Sequence, residues 1–268
     1  MSIFLTLRTT WHALALSSCV WGFSKLSVFE ALAEADTSHE YGGHYQFLTV
    51  CSLAATVLAM SVALLLDFHD ALLGGGTANS GLRGILTFLK ALTSVVAMPV
   101  ETLVSILFWS IFTYDPNLLV PPIERYDPQS PGLAIKVPVK IPIEIDLALH
   151  AAPSLFLLVD YLVFSPPFFK SMKPAAVSTT LTIAYCVWVE RCAFKNGHFP
   201  YPLLDPLTDA QRYGLYGLCA LILVGVLTAT QALHTVLDRD VFERTWPQKV
   251  EGEQQGLHAK AKATAKEA

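Results

Sequence analysis

The chain has 268 residues, with 18 Lys and Arg against 22 Asp and Glu, a formal charge of -4, and only 15% charged residues where soluble domains carry about 25%. Apolar residues reach 53% and gather into runs of about twenty, the length that crosses roughly 30 Å of hydrocarbon. The composition argues against a soluble globular domain, and a nearly neutral chain without a basic stripe gives a nucleic-acid partner no electrostatic support.

In chain order the apolar runs predict membrane spans at 11–31, 45–68, 85–112, 143–165, 175–194 and 212–237. Arg8 precedes the first span and no convincing small-residue cleavage site follows it, so a retained first helix is expected. Runs of this length without period-two alternation exclude barrel strands, because in lipid only helices or closed barrels satisfy the backbone. The fold class expected is an all-α polytopic bundle of about six transmembrane helices, residues 1–238, followed by a disordered tail at 239–268 that ends in Lys and Ala. Between the third and fourth spans, Pro121, Pro122, Pro128, Pro131, Pro138 and Pro142 forbid a helix and predict an extended segment along the membrane surface until a span begins near Ile143.

With six spans the termini share a side, and that side holds ten Lys and Arg against four on the other. The positive-inside bias therefore predicts that both termini are cytoplasmic. The five cysteines, at 19, 51, 186, 192 and 219, all lie in apolar stretches and read as small hydrophobes. No nucleotide-binding glycine pattern, HExxH motif or serine elbow occurs, so no cofactor and no metal is expected.

Ionisable groups inside spans mark either interhelical pairs or chemistry. Lys25, Lys90, Glu190, Arg191 and His234 read as interfacial. Glu101 and Asp160 are expected to pair with Lys90 or to orient a histidine, and Glu144 and Asp146 suit the first turn of the fourth helix. His150 lies about two turns into that helix, too deep for an interfacial residue. Thr49 lies at a matching depth in the second span, beneath the loop Tyr41-Gly42-Gly43-His44, whose glycines permit unusual backbone angles. A hydroxyl and an imidazole at one level can form a nucleophile and its base. The plain alternative is a threonine bonded to the preceding turn and a histidine bonded between helices.

The segment Tyr41-Gly-Gly-His-Tyr-Gln-Phe-Leu-Thr49 resembles the androgen-induced gene family of multi-pass membrane proteins. The resemblance continues in order through Met98-Pro-Val with Phe108-Trp109, Tyr114-Asp115 and Pro121; through Leu149-His150-Ala-Ala-Pro-Ser; and through Val187-Trp188 with Phe199-Pro-Tyr201-Pro202. It covers about residues 11 to 237. The family is described as threonine hydrolases that cleave fatty acid esters of hydroxy fatty acids, which implies Thr49 as nucleophile, His150 as base, a lipid ester substrate and an endomembrane location such as the endoplasmic reticulum. One departure stands out: where family members carry an aromatic, a lysine and a second aromatic, this chain has Tyr45-Gln46-Phe47, without the cation. A non-enzymatic membrane scaffold or small-molecule carrier is the alternative function.

Overall fold

In this computed structural model, the backbone is described for residues 3–73, 80–126, 134–168 and 172–264, and side chains for the same residues except Ser80, Tyr126, Ala134 and 238–264. The elements in order are α1 (Ile3–Ser24), α2 (Leu26–Ala33), α3 (Leu48–Leu73), α4 (Ser80–Tyr114), β1 (Ile123–Tyr126), β2 (Ala134–Val137), α5 (Ile143–His150), α6 (Ala152–Val159), a π-helical turn Asp160–Phe164, α7 (Pro174–Asn196) and α8 (Asp209–Thr264). Since α5, α6 and the π turn form one rod, there are six long helical rods among the described residues. The protein is an all-α membrane bundle.

Four of these rods, Leu48–Leu73, Gly81–Tyr114, Ile143–Phe164 and Asp209–Leu237, are both long and apolar enough to cross a membrane. The helices α1 and α7, at 22 and 23 residues, have the length, about 33 Å, but a lower apolar share. The expected disorder from residue 239 concerns a stretch whose side chains lie outside the described residues.

Large apolar side chains such as Leu58, Leu65, Phe68, Val187 and Leu221 face outward, as lipid permits and water does not. Inside, the small residues Ala15, Cys19, Ala59, Ala63 and Ala97 are buried, and they let α1, α3 and α4 approach closely. Met60, Met98, Leu157 and Leu227 fill the middle. The proline-rich segment is extended as expected, and its two strands pair antiparallel, Ile123 with Val137 and Arg125 with Ile135. The fourth span begins at Ile143, directly after Pro142. Pro153 lacks an N–H and clashes with the carbonyl four residues back, so the rod breaks at Ala151. That break sits immediately after His150.

Candidate active site

An apolar cavity of about 200 Å³ lies between the first turn of α3, the middle of α4, the end of α5, α7 and α8. Leu103, Leu107 and Phe108 of α4, Leu181 of α7 and Leu215 and Leu223 of α8 supply much of its wall. Its few polar side chains include Thr49, His150, Tyr185 and Tyr201. Thr49 and His150, from separate helices, are therefore brought to one chamber.

Local structure explains both positions. The loop before α3 turns through Gly42 and Gly43, at φ 89° and 50°, which only glycine adopts without strain. A Cβ on Gly42 would also lie 2.8 Å from Cys192 Sγ. Bonds to α7 fasten this loop: Trp188 Nε1 donates to the Tyr45 carbonyl at 2.8 Å, Tyr185 donates to the Gln46 carbonyl at 2.9 Å, and the Asn196 amide exchanges bonds with both backbone groups of Tyr41. Gln46, which stands where the family pattern has a cation, is buried and gives its amide to Glu40 at 2.6 Å. Thr49 follows as the second residue of α3.

His150 is buried, and its ring stacks on Phe108 with centroids 3.5 Å apart and planes 4° from parallel. Asp146, one turn earlier on the same face, brings Oδ1 to 3.7 Å from His150 Nδ1, beyond hydrogen-bond length. Both atoms are buried without a hydrogen-bond partner. No hydrogen bond joins Thr49 to His150 among the described residues; the Thr49 side chain interacts instead with the Tyr201 hydroxyl. Tyr201 sits in the turn between α7 and α8, where burial pushes its hydroxyl above the ordinary phenol value, with hydrogen bonding to the Thr49 and Tyr185 side chains and to the Leu48 and Thr49 amides pulling partly back. It is a neutral group with a proton to give. A loop residue that follows no periodic pattern, Tyr201 had only the Phe199-Pro-Tyr201-Pro202 string to mark it.

Phe108 lines the chamber, whereas Trp109 packs edge-on against Phe108 and Trp188 holds the loop. Glu101 approaches neither Lys90 nor His150; its Oε1 accepts from Thr56 at 3.0 Å. Lys90 does not snorkel, because its ammonium is buried 2.9 Å from Asp160. His234, one turn from the end of its span, is buried within the bundle, with Nε2 3.0 Å from the Ser165 carbonyl. Two buried groups escaped sequence reasoning, His12 and Asp67, which join Asp160 far from the chamber. Among the described residues no cluster of three or more His, Cys, Asp or Glu is arranged to hold a metal ion.

Comparisons with known proteins agree on a single grouping. Residues 9–235 match the family model described as FAR-17a/AIG1-like protein. A UPF0641 membrane protein of Schizosaccharomyces pombe is 32% identical over 224 residues, 83% of this chain and 88% of the relative. The androgen-induced gene 1 protein of Homo sapiens is 23% identical over 209 residues, 76% of this chain and 80% of that one. A UPF0641 membrane protein of Saccharomyces cerevisiae is 27% identical over 207 residues, 75% and 78% of the two chains. No solved structure matches the chain.

Proposed function

The chain belongs to the FAR-17a/AIG1-like family of membrane proteins, and from that premise we propose that it is a lipid ester hydrolase in which Thr49 is the nucleophile and His150 the base. The observation that carries this reading is the shared chamber: a hydroxyl and an imidazole from different helices on the wall of one apolar cavity. The resemblance of the Tyr41–Thr49 and Leu149–Ser154 segments to a threonine hydrolase family supports the same two residues. Fatty acid esters of hydroxy fatty acids, or related lipid esters, are the substrate class that follows.

In the mechanism, His150 takes the Thr49 proton as Oγ1 bonds to the ester carbonyl carbon, and the carbonyl electron pair moves onto oxygen. Collapse of that oxyanion expels the alkoxide, which leaves with the proton held by His150. Water, deprotonated in turn by His150, then attacks the acyl-threonine; the fatty acid is released as Thr49 Oγ1 departs and takes that proton back from His150. The Phe108 ring fixes the imidazole plane, so little reorientation is left to the reaction. Thr49 and His150 close to hydrogen-bond contact when substrate fills the chamber beside them, as apo sites often require. The proposal puts the protein in the endoplasmic reticulum or another endomembrane with both termini cytoplasmic, so the chamber lies toward the opposite face.

A fluorophosphonate probe applied to purified protein tests the reading. Mass-spectrometric mapping is expected to find the adduct on Thr49 and to lose it in Thr49→Ala. An unlabelled wild type, or equal labelling of the variant, would sink the assignment. A carrier that shelters an apolar molecule is the second reading, and the lack of a direct bond between Thr49 and His150 favours it. It predicts lipid retention without labelling.

A further inference from the structure

We propose that Tyr201 is a third catalytic group, one that steadies Thr49 and donates the hydrogen bond that meets the oxyanion. The inference rests on the hydrolase reading and adds a member to its site.

A helix start offers orphan amides, and those of α3 would be the ordinary choice for an oxyanion. In this protein they are occupied. The Val50 and Cys51 amides donate to the Phe47 carbonyl at 3.2 and 3.1 Å. The Leu48 amide donates to Tyr201 Oη at 3.0 Å, and the Thr49 amide is directed at the same oxygen. The phenol oxygen thus occupies the position an anion would take at the positive end of α3. Because its acceptor side is filled by backbone N–H groups, the one phenol proton points elsewhere, and the side chains that neighbour it there are Thr49 and Tyr185. Tyr185, the other chamber phenol near Thr49, gives its proton to the Gln46 carbonyl at 2.9 Å. Tyr201 is also held rigidly, its ring edge-on to Phe47 with centroids 5.4 Å apart.

When Thr49 Oγ1 bonds to the carbonyl carbon, the former carbonyl oxygen becomes an anion within reach of the same phenol. Tyr201 shifts its hydrogen bond from Oγ1 to that oxyanion and keeps its proton throughout. No proton is consumed, because His150 both takes and returns the one that moves. The two α3 amides polarise the phenol, so the donor is strongest where charge develops.

The test uses the full chain in detergent with a fatty acyl 4-nitrophenyl ester. Tyr201→Phe is expected to lower kcat about 10²-fold to 10³-fold, the usual cost of one oxyanion donor, with KM changed less than about threefold. Position-specific 3,5-difluorotyrosine keeps the ring shape and makes the phenol more acidic; it is expected to restore turnover and move the alkaline limb of the kcat profile to lower pH. A phenol that only packs would move neither. Wild-type kcat in Tyr201→Phe overturns the inference while leaving Thr49 and His150 in place, whereas ester turnover that survives Thr49→Ala overturns the hydrolase reading and this inference together. Should Tyr201→Phe fail to fold, the difluorotyrosine protein decides, and an unshifted profile counts against Tyr201.

Discussion

The two ends of the bundle treat their buried carboxylates differently. At the Arg8 end, His12 is clamped between Asp67 and Asp160 at 2.6 Å on each ring nitrogen, and Lys90 adds a contact of 2.9 Å to Asp160. Arg8 bridges Asp67 and Asp70 at 2.6 and 3.0 Å, Arg83 reaches Asp70 at 2.8 Å, and Ser165 donates to Asp160 at 3.0 Å. Each of the three carboxylates therefore has at least two donors, drawn from α1, α4 and the segment after α6. At the chamber end, His150 Nδ1, Asp146 Oδ1 and Thr182 Oγ1 are buried without partners. An apolar medium makes unmet polar groups costly, and of these three residues His150 and Thr182 line the cavity, where a ligand can complete the bonding. Paired charges at the Arg8 end tie helices together, although His69 beside them is buried with neither ring nitrogen hydrogen-bonded; at the chamber end the unpaired His150 and Thr182 side chains line a cavity that a ligand can enter.

The pair His150→Ala and Asp160→Asn sharpens that division most. His150→Ala is expected to reduce ester turnover by about 10³-fold or more while the melting temperature in detergent falls by only a few degrees, since the ring loses its stacking on Phe108 but borders space that is already empty. Asp160→Asn should do the reverse. It leaves His12 and Lys90 facing a neutral amide and costs about 3–5 kcal/mol of stability, the loss seen when one partner of a buried charge pair is removed. The fraction that stays folded is expected to turn over ester at the normal rate. A stable but inactive Asp160→Asn protein would break the comparison.

Much of the bundle was legible because hydropathy is a local signal and lipid demands long runs. The start at Ile143 was legible for a similar reason, since Pro142 stops any helix from beginning earlier. His150 stood out by its depth and Thr49 by matching it, their roles came from the resemblance of the surrounding segments, and both line the chamber. The His12–Asp67–Asp160 cluster was not legible, because its members come from three helices and only packing shows that they meet. Lys90 looked able to snorkel, and only the presence of Asp160 on a neighbouring helix holds it inside. Gln46 looked like the loss of a cation, yet its surroundings are polar, with Glu40 and Asn196 on its amide. Tyr201 depends on a contact between the turn before α8 and the start of α3, which no periodicity encodes.

A smaller effect is expected at the loop that joins stability to chemistry. Gly42→Ala puts an L side chain at φ 89°, costing about 1–2 kcal/mol, and its Cβ would press on Cys192 Sγ at 2.8 Å. The loop relieves that contact by moving away from α7, and α3 begins shortly after it, at Leu48. Turnover is expected to fall about tenfold with only a modest drop in melting temperature, because a small misplacement of a nucleophile is costly in rate. Undiminished kcat would mean that Tyr201 and the α3 amides, and not the loop, set the position of Thr49.

The smallest effect belongs to Trp188→Phe, which deletes the Nε1 bond to the Tyr45 carbonyl at 2.8 Å and keeps most of the ring volume. That carbonyl also accepts from Cys51 Sγ at 3.0 Å, so it is not left without a partner, and the Asn196 bonds to Tyr41 still hold the loop to α7. The loss should be about 1 kcal/mol, a melting shift of a few degrees, with kcat changed less than about threefold. Because Gly42→Ala moves the loop and Trp188→Phe only loosens one bond to it, equal falls in kcat would show that the loop acts on Thr49 through this single tether, so that Trp188 rather than the glycine turn positions the nucleophile.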